Sequence, residues 1–272
     1  MPEYLRTVFK EYYADHKENL MKHEGDVNFS RKYYYEIKPS NLIFLLKKRY
    51  EWINKFVSDK SKVLELGCGI GVTKDFIYKK CEFLSTDIYD NNWVDVVVDA
   101  TKTPFEDSYY DVVFISNTIH HLPYPKKFLL EMKRIIKPGG YLLIQDVNCS
   151  FFLKLMIRVM RQEGWSYLID VFDNNSVVMN KNDPWKGNNA IPNLLFDDEK
   201  KFEDNIGMKF ISNNYEEFII FLISGGVTAK IKTINLPERI LKIIDKFDNL
   251  LVKLMPSIFA LQRKVILKNE KP

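Results

Sequence analysis

The stretch KVLELGCGI, residues 62–70, determines how the rest of the chain is interpreted. Its first half is apolar and rich in strand-forming residues, and this run ends at Gly67. Glycine recurs at Gly69 and Gly71, and residues without a Cβ let the backbone turn tightly and lie directly against a ligand. A strand that ends in such a loop, with a helix predicted over residues 72–80, is typical of the nucleotide-binding corner of a doubly wound α/β domain.

A carboxylate follows at the spacing that this kind of corner requires. Asp87 comes twenty residues after Gly67, at the end of a second apolar run. At the tip of the neighbouring strand, an acidic side chain can bind both hydroxyls of a ribose. We therefore expect Gly69 and Asp87 to face one shared cavity.

The alternation of strands and helices continues along the chain. Short apolar runs predict strands at residues 95–98 and 111–115 and another that begins over residues 141–144. Helical apolar spacing over residues 126–136 is terminated by a Pro-Gly-Gly sequence at 138–140. Such strands separated by helices predict a mostly parallel sheet that is covered on both faces.

The second half of the chain is less regular. Apolar patterns predict helices over residues 151–160 and 238–254 and strands within 210–221 and 259–267. A polar loop over 180–193 is a candidate substrate-facing segment or a surface connection.

These elements suggest a division of the chain into a cap and a main domain. The sequence pattern predicts an N-terminal helical cap over residues 1–55 and an α/β domain over residues 56–272. Insertions on the substrate side are expected at about 151–205 and 222–256, the second of which is a C-terminal insertion.

Composition indicates an ordinary globular protein with a mild positive charge. The 272 residues are 46% hydrophobic and 28% charged, with a formal net charge of +4. Three cysteines without CxxC spacing favour a reducing compartment, and the amino terminus does not resemble a signal peptide. We therefore predict a cytoplasmic protein.

The basic excess is concentrated near the carboxyl end. Residues 230–272 contain ten Lys or Arg and four Asp or Glu. Such a region can contact phosphates or an anionic membrane surface, and it can equally be a solvated helix face.

Four stretches together carry a resemblance to a known family. They are VLELGCGIG, STDI, VVVDATKTPFEDSYYDVVFISNTIHHLP and LLEMKRIIKPGGYLLIQDV. On these stretches the chain resembles a class I S-adenosylmethionine-dependent methyltransferase of the small-molecule group over residues 62–147. The resemblance implies a Rossmann-like, seven-stranded sheet, S-adenosylmethionine as cofactor and methylation as the activity.

The resemblance also implies which residues bind the cofactor. Gly67 and Gly69 would pass under its methionine part, with Glu65 supporting the loop or acting as a buried brace. Asp87 would bind the ribose, and Asp99 would bind the adenine amino group or cap a turn before the next proline. The full set of expected cofactor-binding residues is Glu65, Gly67, Cys68, Gly69, Asp87, Ile88, Asp99, Ala100, Ser116 and Asn117.

Two adjacent histidines are the candidate catalytic residues. His120 and His121 follow the fourth strand, near the expected crevice. Either could remove a proton from an acceptor hydroxyl, and either could instead pack beside the cofactor. No cysteine or histidine cluster suggests a metal, so none is predicted.

The acceptor is expected to be a small molecule or a sugar hydroxyl. Tyr33, Tyr34 and Trp185 are candidate substrate-binding residues, although the tyrosines could pack on the core and the tryptophan could anchor its loop. One alternative is an RNA or protein methyltransferase that uses the basic C-terminal region. Another is a non-catalytic module that binds S-adenosylmethionine. Adenine methylation in nucleic acids is typically marked by an Asn/Asp-Pro-Pro-aromatic run after the fourth strand, where this chain has SNTIHH. A nucleic-acid acceptor is therefore not favoured.

Overall fold

The structure, a computed structural model, describes most of the chain. Every helix in this part of the chain is too short or too polar to cross a membrane. The described residues are 10–14, 19–20, 25–175, 177–178, 186–228 and 231–270.

The strands form one large sheet and one two-stranded sheet. In chain order they are β1 (Glu11–Tyr13), β2 (Lys62–Leu66), β3 (Glu82–Asp87), β4 (Val96–Val97), β5 (Tyr110–Ser116), β6 (Ile136–Val147), β7 (Gly164–Ser166), β8 (Lys209–Glu216) and β9 (Gln262–Lys268).

The helices lie between these strands and before them. In chain order they are α1 (Val27–Ile37), α2 (Ser40–Tyr50), α3 (Pro125–Ile135), α4 (Phe151–Met160), α5 (Ile191–Phe196), α6 (Glu199–Ile206), α7 (Ile219–Ser224), α8 (Glu238–Leu254) and α9 (Pro256–Phe259).

The large sheet has seven strands in the order β4-β3-β2-β5-β6-β9-β8. The pairs that join β4, β3, β2, β5 and β6 are parallel, whereas β9 runs antiparallel to both of its neighbours. The order reverses direction between β2 and β5, which is the switch point where open α/β sheets bind ligands. The predicted doubly wound, mostly parallel seven-stranded sheet is confirmed.

Alternate residues of the central strands pack into two different cores. Leu64 and Val113 belong to the core on one face of the sheet, and Val63 and Val112 belong to the core on the other. All four side chains are fully buried. A strand that is buried on both faces has no polar alternation, which is why these strands appear in the sequence as short apolar runs.

Three expectations need correction. Residues 11–13 are not helical, because they form β1 and pair with β7. The helix expected over 72–80 is only a single 3-10 turn at Thr73–Phe76. The sequence Pro138-Gly139-Gly140 does not lie before the fifth strand, because β6 already begins at Ile136 directly after α3.

A buried ion pair fixes α2 against the carboxyl edge of the sheet. Arg49 donates to both carboxylate oxygens of Glu217, at 2.9 and 2.6 Å, and Gln145 also donates to Glu217 at 3.0 Å. Both charged side chains are almost fully buried, so removal of either one would leave an uncompensated charge. The end of α2 is thereby held beside the switch point.

Candidate active site

One cavity of about 770 Å³ lies at the carboxyl ends of the parallel strands. It extends from the loop after β2 to the loops after β3, β4 and β5, which is the crevice expected at the switch point. All ten residues expected to bind the cofactor line it, as do His120 and His121. The sequence motifs and the folded cavity therefore coincide.

The glycine loop and the carboxylate after β3 are directly joined. The backbone N–H of Gly69 donates to Oδ2 of Asp87 at 2.9 Å, and the N–H of Tyr89 donates to Oδ1 at 3.2 Å. Gly69 has φ of +52°, and a Cβ placed on it would meet no atom within 4 Å. Its backbone is therefore open to the cavity, and the shared cavity expected for Gly69 and Asp87 is present.

Gly67 has a different reason to be glycine. Its φ is +68°, and a Cβ there would lie 2.5 Å from the hydroxyl oxygen of Thr118. Thr118 follows β5, so the two strands at the switch point meet here with no room for a side chain. This position is required by packing, whereas Gly69 is left open on the ligand side.

Glu65 is a buried carboxyl group behind the loop. It accepts a hydrogen bond from the Ser85 hydroxyl at 3.1 Å. Burial raises its pKa to about 7, although hydrogen bonds from Thr73 and Ser85 act in the opposite direction. Glu65 is therefore protonated in a large fraction of molecules near neutral pH.

Asp99 lies at the adjacent edge of the cavity and closes a turn. Its Oδ1 accepts from the backbone N–H of Thr101 at 2.8 Å and from the Thr101 hydroxyl at 2.7 Å. Ala100 lies between them and also lines the cavity. Asp99 thus caps a turn, which is one of the two roles expected for it. Its carboxylate is also exposed on the cavity wall.

The end of β5 is held in a strained backbone conformation. Asn117 has φ of +48°, which is unusual for a residue other than glycine. Its N–H donates to the Gln145 carbonyl at 2.7 Å, and its Oδ1 accepts from the Gln262 amide at 2.7 Å. These bonds to β6 and β9 fix Ser116 and Asn117 at the cavity wall.

Asp146, fully buried at the end of β6, orients the first histidine. Its Oδ2 accepts from the backbone N–H groups of Thr118 and Ile119, at 3.0 and 2.8 Å. Its Oδ1 lies 2.5 Å from Nδ1 of His120. This leaves Nε2 of His120 directed toward Glu163.

Glu163 completes a cluster with the two histidines. Its carboxylate oxygens lie 4.0 Å from Nε2 of His120 and 3.9 Å from Nε2 of His121. Asn189 fixes the carboxylate by donating to Oε2 at 2.7 Å. Separations near 4 Å exceed a hydrogen bond and leave room for an intervening proton carrier or ion.

The same cluster could hold a metal ion. The ligand atoms of His120, His121 and Glu163 lie within 4.8 Å of one another. Imidazole and carboxylate ligands suit zinc and similar ions, and Asp146 would orient His120 as an outer-shell partner. The sequence predicted no metal, because Glu163 is far from the histidine pair along the chain.

The surroundings of His120 shift its proton affinity. Burial alone would lower the pKa of the imidazole, but the carboxylates of Asp146 and Glu163 raise it above its ordinary value on balance. His120 is therefore more readily protonated than a solvent-exposed histidine.

The lining residues of the cavity fall into two chemically different sets, here called its carboxylate-lined half and its apolar half. The first half contains the glycine loop and three carboxyl groups, those of Glu65, Asp87 and Asp99. The second half is formed mainly by side chains of α4, α7 and the segment after α7. Its apolar members are Leu153, Met156, Ile157, Met160, Phe221, Leu222, Val227 and Ile231.

Charge in the cavity is predominantly negative. Besides the partly protonated Glu65, the described lining contains three carboxyl groups, those of Asp87, Asp99 and Glu163, and one guanidinium. That guanidinium, on Arg49, is neutralised by its buried bidentate pair. A cationic ligand would be favoured here, particularly beside low-dielectric walls.

The expected substrate-binding aromatic residues do not line the cavity in the described part of the chain. Tyr34 is buried in the core under α1, and Tyr33 stacks on Phe29 with ring centroids 6.3 Å apart. These positions correspond to the alternative in which the tyrosines pack their helix. Trp185 lies outside the described residues.

Sequence reasoning missed several residues of the site. Asp146 is an acidic residue at a strand end, which is a signal that could have identified it. Arg49 and Tyr50 reach the cavity from the predicted cap, and Glu163 and Gln262 come from segments without a motif. Only the folded chain brings these residues to the site.

Comparisons with known proteins agree with this geometry. Residues 64–144 match the family model of a methyltransferase domain. A phthiotriol/phenolphthiotriol dimycocerosates methyltransferase of Mycobacterium ulcerans is 31% identical over 104 residues, 33% of this chain and 38% of that protein. A ubiquinone biosynthesis O-methyltransferase of Rickettsia akari is 27% identical over 128 residues, 42% of this chain and 51% of that protein. The matches thus span about half or less of these relatives' length.

A solved structure extends the likeness to the whole fold. The crystal structure of an S-adenosylmethionine-dependent methyltransferase from Archaeoglobus fulgidus has a TM-score of 0.52 at 19% sequence identity. The likeness covers 82% of this chain and 93% of that one. The expectation drawn from the sequence is confirmed to this extent: residues 64–144 match a methyltransferase domain, and the chain shares its fold with a solved S-adenosylmethionine-dependent methyltransferase.

Proposed function

We propose that the chain transfers the methyl group of S-adenosylmethionine to a hydroxyl group of an apolar small molecule. The observation that carries this proposal is the single cavity, in which a carboxylate-lined half adjoins an apolar half. The histidine–glutamate cluster lies on the wall of that same cavity. A charged donor, an apolar acceptor and a proton acceptor would thus have places in one cavity.

In this proposal the carboxylate-lined half holds the cofactor. Asp87 binds the ribose hydroxyls, and the open backbone of Gly69 faces the methionine part. Asp99 and the backbone of Ala100 bind the adenine. The negative lining supports this placement, because the sulfonium of S-adenosylmethionine is positively charged.

His121 acts as the general base. The acceptor oxygen attacks the methyl carbon as the carbon–sulfur bond breaks, and the hydroxyl proton passes to His121. The products are a methyl ether, S-adenosylhomocysteine and a protonated imidazole. His120 is a positioning residue, because Asp146 and Glu163 face its two ring nitrogens.

Two physical effects supply the acceleration. Alignment of donor and acceptor contributes on the order of 7–11 kcal/mol. A correctly placed base contributes about 100- to 10,000-fold in rate. Because the sulfonium loses its charge during transfer, the protein need not stabilise a large new charge in the transition state.

The apolar half selects among the acceptor classes. A sugar would leave many hydroxyl groups without partners against Leu153, Met156 and Phe221. RNA or a protein segment would require a polar, open approach to the histidines, whereas the described basic residues after position 230, apart from Lys232, lie on α8 and β9. Two relatives are named as a sterol 4-C-methyltransferase and a ubiquinone biosynthesis O-methyltransferase, and the second name refers to transfer to oxygen.

Other expectations remain part of this proposal. We retain the cytoplasmic location, the division into a cap over residues 1–55 and a domain over 56–272, and the insertions at 151–205 and 222–256. A contact of the basic C-terminal region with an anionic membrane surface is compatible with an apolar acceptor.

Calorimetric titration with S-adenosylmethionine and S-adenosylhomocysteine tests the cofactor part. We expect both to bind, and Asp87→Ala to weaken binding by about tenfold or more, the loss of a charge-assisted hydrogen bond. Asp90→Ala is the matched control, because Asp90 is exposed and does not line the cavity. No heat with either ligand would contradict the proposed function.

Incubation with methyl-labelled cofactor and a panel of acceptors tests the transfer. The panel compares apolar phenols and alcohols with sugars, peptides and RNA of similar concentration. Label in the phenol or alcohol products alone supports the proposal, whereas label only in sugars, peptides or RNA contradicts it.

A further inference from the structure

The segment between β8 and β9 carries an apolar surface that faces solvent. Residues of α8 at spacings of three and four positions form one stripe, as expected for a single helix face. Their exposed fractions lie between 43% and 65%. The members of this stripe, here called the α8 stripe, are Ile240, Ile243, Phe247, Leu250 and Leu254.

The α8 stripe is distinct from the face by which the helix is attached. Leu241 and Val252 are buried in the core, and Asp248 is buried with its carboxylate accepting from the backbone N–H groups of Phe218 and Ile219. The helix is therefore anchored along one face and exposes a second apolar face. Contiguous exposed apolar residues on a globular protein mark an interaction site.

Positive charges border this stripe on one side. Arg239, Lys242, Lys246 and Lys253 are exposed, and each directly precedes a member of the α8 stripe. One residue corresponds to about 100° around a helix, so these cations form a row along the edge of the stripe.

Acidic residues of the helix neutralise only one member of that row. Glu238 pairs with Lys242 at 2.7 Å, and Asp245 pairs with Lys48 of α2. Asp248 points into the core. The exposed edge therefore retains a net positive charge, contributed by Arg239 and two lysines.

Exposed apolar residues also occupy the chain segment that leads from the cavity lining to α8. Ile231 lines the cavity and is 52% exposed, and Leu222 lines it and is 43% exposed. Ile234, between these residues and α8 along the chain, is 84% exposed. Only six residues separate Ile231 from the start of α8 at Glu238.

We propose that the α8 stripe docks on an anionic membrane surface and presents the cavity mouth to the bilayer. An amphipathic helix with an apolar face and a lysine- and arginine-rich border lies in the membrane interface in this way. The docking would make the acceptor an amphiphile that enters the cavity from the bilayer. This statement about the acceptor rests on the proposed function.

Vesicle co-sedimentation of the full chain, without cofactor, tests the docking. We expect binding to vesicles of phosphatidylcholine mixed with phosphatidylglycerol, and binding at least about tenfold weaker to phosphatidylcholine alone. Higher salt should weaken the binding, because exposed charges are screened. Equal affinity for both vesicle types, or no binding to either, would overturn the proposal.

Two double variants separate the apolar and charged contributions. Ile243→Ser/Phe247→Ser and Lys246→Glu/Lys253→Glu should each lose binding to the anionic vesicles by about tenfold or more. Leu130→Ser and Lys200→Glu are controls at exposed positions of α3 and α6 and should bind as the native chain does. Native-like binding by both double variants would overturn the proposal.

Two further measurements exclude other occupants and misfolding. Light scattering reports whether the α8 stripe joins two copies, and a dimer that Ile243→Ser/Phe247→Ser dissociates would overturn membrane docking. If Lys246→Glu/Lys253→Glu loses affinity for RNA but keeps its affinity for the anionic vesicles, membrane docking would be overturned as well. Calorimetry with S-adenosylmethionine shows whether each variant is folded. If the native chain itself does not bind S-adenosylmethionine, the proposed function is contradicted, whereas the vesicle-binding result still stands.

Discussion

The two halves of the cavity contrast in how they are built. The carboxylate-lined half is made by short loops at the ends of adjacent parallel strands, and hydrogen bonds such as that from Gly69 to Asp87 connect them. The apolar half is made by α4 and by α7 with the segment after it, which come from the irregular second half of the chain. Geometry of the first kind follows from the sheet itself, whereas geometry of the second kind depends on how added segments pack.

This difference teaches which part of the site belongs to the fold and which part is particular to this chain. Residues 64–144, the part matched by the family model, contain the glycine loop and all three carboxyl groups of the carboxylate-lined half. The apolar half lies outside that range. We therefore expect substitutions in the two halves to have separable effects on the cofactor and the acceptor.

The largest effect is expected at the histidine–glutamate cluster, which belongs to neither half as defined above. His121→Asn should lower the rate of methyl transfer by about 100- to 10,000-fold, because the proposed general base is lost. Affinity for S-adenosylmethionine should stay within about twofold, because the proposed cofactor contacts do not include His121. Single-turnover transfer of labelled methyl to an acceptor from the panel measures the rate of methyl transfer, and calorimetry measures the affinity for S-adenosylmethionine.

A chelator distinguishes the base from a metal ligand in the same assay. If His121 is the base, dialysis against a chelator leaves the rate unchanged. A rate that falls after dialysis and returns with zinc would show that His120, His121 and Glu163 hold a metal, and would contradict the assignment of His121 as base.

The next effect concerns stability in the carboxylate-lined half. The pKa of Glu65 is about 7 in the folded chain and 4.5 as its ordinary value. Between these values the folded state binds more protons than the unfolded state, so stability falls as pH rises from 4.5 toward 7 and above. The loss amounts to roughly 3 kcal/mol.

Glu65→Gln should remove most of this dependence, because the amide cannot ionise. Urea unfolding of the cofactor-free chain at about pH 5, near the lower end of the window, and at about pH 8, roughly one unit above its upper end, measures the loss of stability. The same pH dependence in the variant would show that Glu65 is not the source.

Two glycines provide a smaller and more selective comparison. Gly67→Ala should destabilise the fold by about 1–2 kcal/mol or more, from the left-handed backbone and the collision with Thr118. Gly69→Ala carries the same backbone strain without a collision, but its Cβ projects into the cavity. Loss of cofactor affinity should therefore exceed loss of stability at Gly69 and not at Gly67, as denaturation and calorimetry would show. Equal effects at the two sites would contradict this distinction.

The predictability of the site from sequence follows the same division. The strand-loop pattern at 62–70 and Asp87 was sufficient to locate the carboxylate-lined half, because parallel strands bring their carboxyl ends to one edge whatever the rest of the chain does. Glu163 could not be found, since nothing local marks it and its place depends on how the end of α4 packs. Tyr34 was misleading for the converse reason: a local aromatic cluster does not reveal which face of α1 is buried.

Secondary structure shows the same limits. Glu238–Leu254 forms a helix as expected, because its apolar spacing is long and regular. Residues 72–80 lack that regularity, and only one 3-10 turn forms there. Residues 11–13 form a strand by pairing with β7. That partner lies about 150 residues away along the chain, so the local sequence does not reveal it.

The smallest expected effect on the cofactor is the sharpest test of the two-halves comparison. Met156→Gln keeps the side chain's approximate size but places an amide in the apolar half, where it would lack partners. Affinity for S-adenosylmethionine should change by less than about twofold, since Met156 lies on α4 and not on the glycine loop. Binding of an apolar fluorescent dye to the cavity should weaken by about tenfold, the cost of one desolvated polar group. Cofactor and dye affinities that fall together would mean that the cavity is one continuous site, and the separation of donor and acceptor halves would then be wrong.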